Sequence, residues 1–233
     1  MNKFALRNYA GKPVAFFTVD TVDLPSNPNA QVRQLGHLII NEDCSGSMWG
    51  DHDRVKADIE KVLTRGEFDN PDLLTSYITW ASNGDVRVHW SRVPVGDIMK
   101  PGSKYIEDLR AVRTRGCTCM SQGLFEAKKL IKDSELTCIW LLSDGFANDR
   151  SPSAEYAEVD RFIADMKTAS NVFVNTVAFN PWSDFKLLSK IANSLSGTCI
   201  QANNIRQVYD SLTKTAQLLS LIHISEPTRP ERI

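Results

Sequence analysis

Short runs of apolar and β-branched residues recur along the chain at 35–43 (LGHLIINED), 72–82 (DLLTSYITWAS), 86–93 (VRVHWSRV), 136–143 (LTCIWLLS), 171–179 (NVFVNTVAF) and 197–201 (GTCIQ). Their length and composition predict strands. Most of the intervening segments show helical spacing instead, at 52–65, 104–112, 120–132, 153–168, 184–194 and 203–219. Strand and helix therefore alternate, and strands such as CIWLL are apolar almost throughout. Both features predict an α/β fold: a doubly wound, mostly parallel central sheet with helices on both faces. Asn83-Gly84-Asp85 forms a short turn between the second and third runs and predicts one antiparallel strand at the sheet edge. Residues 12–22 (KPVAFFTVDTV) alternate like a further strand, and 23–34 carry the Pro and Asn of a loop.

The 233 residues suffice for one sizeable core, and no stretch has the composition of a long linker. The expected organisation is an extension over 1–34 with room for an extra strand, one domain over 35–219, and a tail over 220–233. The tail ends in LIHISEPTRPERI, which breaks the preceding helical pattern with two prolines and no caps. It reads as translated read-through of a sequencing adapter or as a disordered terminus, expected in either case to pack poorly.

Charge and cysteine usage narrow the function. With 27 Lys and Arg against 28 Asp and Glu, the formal charge is -1, so no global footprint for nucleic acid or an anionic membrane exists. The amino terminus shows no secretory apolar run, and the longest apolar run, within Leu136–Leu142, is far short of the roughly 20 residues that span a bilayer. Five cysteines, at 44, 117, 119, 138 and 199, lack the even, dense spacing of a disulfide scaffold, and no Asn-x-Ser/Thr acceptor occurs. A reducing, cytoplasmic location is expected.

Three short motifs fall at strand or helix boundaries: Asp43-Cys44-Ser45-Gly46-Ser47-Met48 after the first run, Gly116-Cys117-Thr118 before a helix, and Ser143-Asp144-Gly145 after CIWLL. In doubly wound sheets ligands bind at the carboxyl ends of strands. Two hydroxyls and a carboxylate at alternate positions of a Gly-containing loop can turn their oxygens to one point. A third hydroxyl and a second carboxylate would complete an all-oxygen environment suited to a hard cation. Each motif also has a plain structural reading, with Asp43 and Ser45 as a helix N-cap and Ser143-Asp144-Gly145 as a turn. Cys44, Cys117 and Cys119 could gather above the sheet as a zinc or redox cluster, or serve as small buried spacers. Trp49 and His52 read equally as a rim for a partner or as a packed loop.

The three motifs resemble the metal-ion-dependent adhesion site of von Willebrand factor type A domains: Asp-x-Ser-x-Ser, a later Thr, and Asp-Gly after a hydrophobic strand. The resemblance covers roughly 35–218. GCTCMSQGLFEA is similar to the family's Gly-Thr helix entry and LLSDG to its strand ending. Leu187–Ala192 followed by Ser196-Gly197 is similar to its last helix and strand. The resemblance implies a Rossmann-like sheet on which Asp43, Ser45, Ser47, Thr118 and Asp144 hold Mg2+, or Mn2+ or Ca2+. Ser45, Ser47 and Thr118 would contact the ion directly, Thr118 in every conformational state or in only one. Asp43 and Asp144 would act directly or through water. Two departures stand out: Asn41-Glu42 occupies usually apolar strand positions, and Cys117 replaces a common second Gly. Glu42 would either add charge near the ion or face solvent.

The chain shows no nucleophile-elbow Gly-x-Ser-x-Gly, no Gly-x-Gly-x-x-Gly after a strand and no phosphate-binding Gly-x-x-x-x-Gly-Lys-Ser/Thr. The expectation is a non-enzymatic module that binds a protein through an Asp or Glu carboxylate, with no nucleic acid, membrane or small-molecule substrate. The alternative is a structural or regulatory subunit of an intracellular complex, for example beside a ring ATPase, that does not use the metal.

Overall fold

The computed structural model describes residues 35–65, 71–169, 171–179 and 181–201, together with the backbone of 3–9 and 12–18. The chain divides into two units, Met1–Gln31 with Glu226–Ile233, and Val32–Ser225. In the first unit β1 (Lys3–Tyr9) pairs antiparallel with β2 (Lys12–Thr18), Lys3 opposite Thr18 and Tyr9 opposite Lys12. β2 falls in the segment whose alternation predicted a strand. β1 was not foreseen, because KFALRNY shows no clear alternation of its own and becomes a strand through its ladder with β2. The loop expected over 23–34, the helix over 203–219 and the tail over 220–233 lie outside the described residues.

The second unit runs β3 (Leu35–Asp43), a 3-10 helix (Gly46–Gly50), α1 (His52–Thr64), β4 (Leu74–Trp80), β5 (Val86–Pro94), α2 (Val95–Ile98), α3 (Lys104–Ala111), α4 (Met120–Lys129), β6 (Leu136–Ser143), α5 (Pro152–Met166), β7 (Val172–Ala178), α6 (Phe185–Ser194) and β8 (Cys199–Gln201). Local chemistry sets several of these ends. Pro152 opens α5 where its missing N–H is harmless, and Ser151 Oγ accepts from Ala154 N at 3.3 Å. Asp184 Oδ1 caps α6 by accepting from Leu187 N at 3.0 Å.

Among the described residues one six-stranded sheet has the order β5-β4-β3-β6-β7-β8. All neighbours are parallel except β4 and β5, whose antiparallel pairing makes the predicted hairpin at the edge. Gly84, with φ +84°, supplies the left-handed residue of its turn. The fold is the doubly wound, mostly parallel α/β arrangement that the alternation of elements predicts.

Strand alternation sorts the core into two layers. Leu38, Ile40, Cys138, Trp140 and Leu142 pack on one face with Val55, Ile59 and Val62 of α1 and with Ile98 and Leu109 from α2 and α3. Ile39, Ile78, Trp80, Ile139 and Leu141 pack on the other with Leu124 of α4, Phe162 of α5 and Leu188 and Ile191 of α6. From β3 the chain first winds to β4 and then crosses to β6, so the strand order reverses between β3 and β6. That crevice is where a ligand site is expected in such sheets.

α4 lies close on the sheet because Gly123 faces the fully buried Trp80, whose indole a Cβ at 123 would overlap. Gly123→Ala should therefore destabilise the domain by about 1–3 kcal/mol through overpacking, despite alanine's better helix propensity. Urea unfolding of both proteins measures this. An unchanged or raised midpoint would show that α4 can lift off the sheet without loss.

Candidate metal centre

The crevice between β3 and β6 is built by backbone bonds before any side chain is considered. Cys44 N donates to Trp80 O at 2.8 Å, Arg115 N to Cys44 O at 2.6 Å and Gly46 N to Gly116 O at 3.0 Å. The loop after β3 is thereby stitched to the end of β4 and to the segment that carries Thr118. Gly116 has φ +57° and lies against the Ser82 side chain, so a Cβ there would be both strained and obstructed. Thr118 N donates to Asn148 Oδ1 at 2.7 Å, while Asn148 N and Asp149 N donate to Thr118 O at 3.3 and 3.4 Å. Asp184 N reaches Asp144 O at 2.9 Å.

The structure brings the predicted residues onto three interlinked loops at the carboxyl edge of the sheet. Asp43, fully buried, accepts from Ser45 N through Oδ1 at 2.8 Å and from Ser143 Oγ through Oδ2 at 2.7 Å. Ser45 Oγ and Ser47 Oγ are 3.0 Å apart, and the Ser47 hydroxyl also bonds the Asp144 carboxyl. Ser45, Thr118 and Asp144 are buried, whereas Ser47 is exposed and marks the open side.

Whether these residues fit a cation can be judged from what they leave unmet. Thr118 Oγ1 and Asp144 Oδ1 are buried and have no hydrogen-bond partner, and such orphans are uncommon because each carries a desolvation cost. Burial raises the Asp43 carboxyl to about 7, and the nearby charge of Asp144 adds to the rise. Burial likewise raises Asp144. Two buried carboxyls and an unpaired hydroxyl lack a positive partner, and an all-oxygen donor set is what Mg2+, Mn2+ or Ca2+ takes. The residues fit the ion that the resemblance implies.

Several readings of single residues need correction. Neither Asp43 nor Ser45 caps a helix with its side chain: Ser45 stands at the N-cap position of the 3-10 helix, but its hydroxyl meets Ser47 Oγ and no backbone N–H, and Asp43 is spent on Ser45 N and Ser143. Glu42 does not face solvent; it is fully buried and close enough for the Asp43 charge to add to the rise of its carboxyl, yet it does not line the same pocket. Strand alternation turns it to the opposite face, where His52 of α1 lies 3.5 Å from its Oε1 and Tyr77 donates to its Oε2. Cys44, Cys117 and Cys119 form no joint cluster: Cys44 meets His52, Cys119 meets Ser121 and Glu155, and Cys117 is exposed. Trp49 is 82% exposed but His52 only 3%, so only the first can belong to a rim.

Two supporting residues were not singled out from the sequence. Ser143 stands inside a motif already noted, and its position beside Asp144 was the available signal. Asn148 had none, since its role depends on the α4 entry meeting the loop after β6.

The chain matches no protein-family sequence profile and no curated protein sequence. Its structure is similar to that of a von Willebrand factor type A protein from Catenulispora acidiphila, at a TM-score of 0.66 and 18% identity over 80% of this chain and 43% of that one. It is also similar to the pilus adhesin SpaC of Lactobacillus rhamnosus GG in its open conformation, at 0.64 and 13% over 80% and 30% of the two chains. A third likeness is to proximal thread matrix protein 1 of the mussel byssus with a zinc-occupied MIDAS motif, at 0.53 and 16% over 81% and 48%. The chain spans less than half the length of each of these three. The fold is that of the von Willebrand factor type A domain.

The raised Asp43 carboxyl gives a pH signature to the metal-free protein. Between its ordinary value of 3.8 and the folded value of about 7, the folded state keeps a proton that the unfolded chain has lost. Stability from this group is therefore fully present below that window and falls as pH rises through it. In chelator, wild-type stability relative to Asp43→Asn should decline by up to about 4 kcal/mol between about pH 4 and 7, at ~1.4 kcal/mol per unit. Saturating magnesium should reverse the decline. A difference that stays flat with pH would show that Asp43 holds no uncompensated charge.

Proposed function

We propose that this domain captures a protein through one acidic side chain, with a divalent ion held by Asp43, Ser45, Ser47, Thr118 and Asp144 as the bridge. The observation that carries the reading is the pair of buried, unpartnered oxygens, Thr118 Oγ1 and Asp144 Oδ1, at the point where strand order reverses. When bound, the ion supplies a concentrated positive charge able to accept an anionic oxygen from outside.

The chain's own residues favour that use. Ser45, Ser47 and Thr118 are neutral donors, so they leave an ion's charge largely unneutralised. Ser143 Oγ and Ser45 N hold the Asp43 carboxylate in place and share its negative charge. Exposed Ser47 leaves one side open to a partner's carboxylate, whose charge-assisted bond forms at a partly shielded site.

The surroundings suit a macromolecular partner. Trp49, Phe146 and Trp182 are 82%, 52% and 81% exposed, and they stand on the loops after β3, β6 and β7, at the same edge of the sheet as the metal residues. Large aromatic side chains at an interface supply contact area at low entropic cost, and a carboxylate flanked by apolar residues would meet both features. No helix among the described residues is long and apolar enough to cross a membrane. Two structural neighbours point the same way: one is a pilus adhesin and another a matrix protein with a zinc-occupied motif. We read the module as non-enzymatic, working in a reducing compartment, with neither nucleic acid nor a small molecule as its ligand.

A displayed random-peptide library tests this. Selection on the immobilised protein in magnesium, with elution by chelator, should return sequences with a central Asp or Glu beside apolar residues. Thr118→Ala and Asp144→Asn should return none. Enrichment that ignores chelator, or that is equal on the variants, would overturn the reading.

Trp49→Ala should weaken a selected peptide by about tenfold or more while leaving Mn2+ affinity, read by calorimetry, unchanged. Unchanged peptide affinity would remove Trp49 from the docking surface.

A further inference from the structure

On the face of β3 opposite Asp43, three ligand-type side chains converge in the buried interior. Glu42 and Cys44 sit two residues apart and so point the same way, and His52 opens α1 above them. His52 Nε2 lies 3.4 Å from Cys44 Sγ and 3.5 Å from Glu42 Oε1, and the three ligand atoms are all within 4.8 Å of one another. None of the three residues is more than 3% exposed. Tyr77 holds Glu42 Oε2, which leaves Oε1 fully buried, aimed at the other two groups and without a hydrogen-bond partner.

Protons alone serve this arrangement poorly. The thiol and the carboxylate face the same imidazole nitrogen, and one N–H or one lone pair cannot make two linear hydrogen bonds at once. A single ion at the centre would satisfy all three. Thiolate, imidazole and carboxylate form the mixed sulfur, nitrogen and oxygen set that zinc takes, and tetrahedral bonds of about 2.0–2.3 Å place ligands about 3.3–3.6 Å apart. The 3.4 and 3.5 Å separations fall in that range.

The frame around the cluster is fixed independently of any ion. Backbone bonds to Trp80 O and from Arg115 N hold Cys44 on both sides. Among the neighbouring cations, Lys56 is engaged by Val112 O at 2.8 Å and Asp53 Oδ1 at 3.0 Å. Arg115, whose guanidinium also reaches the Cys44 side chain, is anchored on Asp85 Oδ2 at 2.7 Å and Thr79 Oγ1 at 3.1 Å.

We propose that Glu42, Cys44 and His52 form a second metal site, for zinc or a similar borderline divalent ion, which shares no residue with the oxygen-lined site on the other face of β3. On binding, Cys44 releases its thiol proton and Glu42 its carboxyl proton to solvent, and the two coordinate as thiolate and carboxylate. The two positive charges of the ion then balance the thiolate and the Glu42 carboxylate. Three protein donors leave the fourth tetrahedral position to a water. The ion would pin the end of β3 to the first turn of α1, directly beneath the loop that carries Ser45 and Ser47.

Cobalt separates the two sites spectroscopically, because only a site with sulfur gives a thiolate-to-cobalt charge-transfer band in the near ultraviolet. Titrating the reduced, metal-free chain with Co2+ should develop that band to about one equivalent, and zinc should abolish it by displacement. Cys44→Ser and His52→Gln, checked for folding by circular dichroism, should lose the band. Thr118→Ala and Asp144→Asn should keep it, whatever becomes of the oxygen-lined site. Absence of the band in wild type would leave the cluster as a hydrogen-bonded network and overturn the proposal, as would a band that survives Cys44→Ser. If Cys44→Ser does not fold, His52→Gln carries the comparison, and a band undiminished there is equally fatal.

Discussion

The hydrogen bond from Ser143 Oγ to Asp43 Oδ2, 2.7 Å long, joins the ends of two adjacent parallel strands across 100 residues of sequence. It forms only because β3 and β6 are neighbours in register, Glu42 beside Leu142. That neighbour relation exists because the chain winds first to β4 and then back across to β6. The loops that leave these strands lead to helices on opposite faces, and the crevice between them gathers polar groups from three loops. Further bonds to Trp80, Gly116 and Asp184 close the crevice around Asp43.

The same strand end sets two neighbouring carboxyls in different chemistries. Asp43 and Glu42 are both buried, and burial is the first cause that raises each, to about 7 and about 8. Asp43 shares its environment with hydroxyls, a backbone N–H and a second carboxyl. Glu42 shares its environment with a phenol, a thiol and an imidazole that burial lowers to about 4. Hard oxygen donors therefore collect on one side of β3 and softer donors on the other. The pleat of a single strand does this sorting.

Order in the crevice also depends on the cores on either side. Gly123 lets α4 approach Trp80, and this fixes the height at which Thr118, two residues before the helix, stands above the sheet. On the other face α1 roofs Glu42 and Cys44 with His52 while its Val55 and Ile59 fill the core. Each face thus contributes one helix start to the polar rim, with apolar packing holding it in place.

Much of this could be read in the residues alone. Apolar runs and helical spacing located the six strands of 35–201 and α1, α3, α4, α5 and α6 to within a few residues, but not the 3-10 helix or the four-residue α2, which are too short to show a period. Asn83-Gly84-Asp85 marked the antiparallel pair of the six-stranded sheet. Asp43, Ser45, Ser47 and Asp144 were legible as candidates because they begin short polar motifs where apolar runs stop, and Thr118 because it stands just before a helical pattern. The sequence did not reveal where Glu42 points, that His52 is buried while Trp49 is exposed, or that Cys44 and Cys119 face different partners. Those outcomes depend on which helix covers which face. Local pattern says only that a residue lies on one side of a strand or the other. Which of the two sides meets α1, and with what side chains, is decided when the sheet closes and distant segments compete for the same buried space.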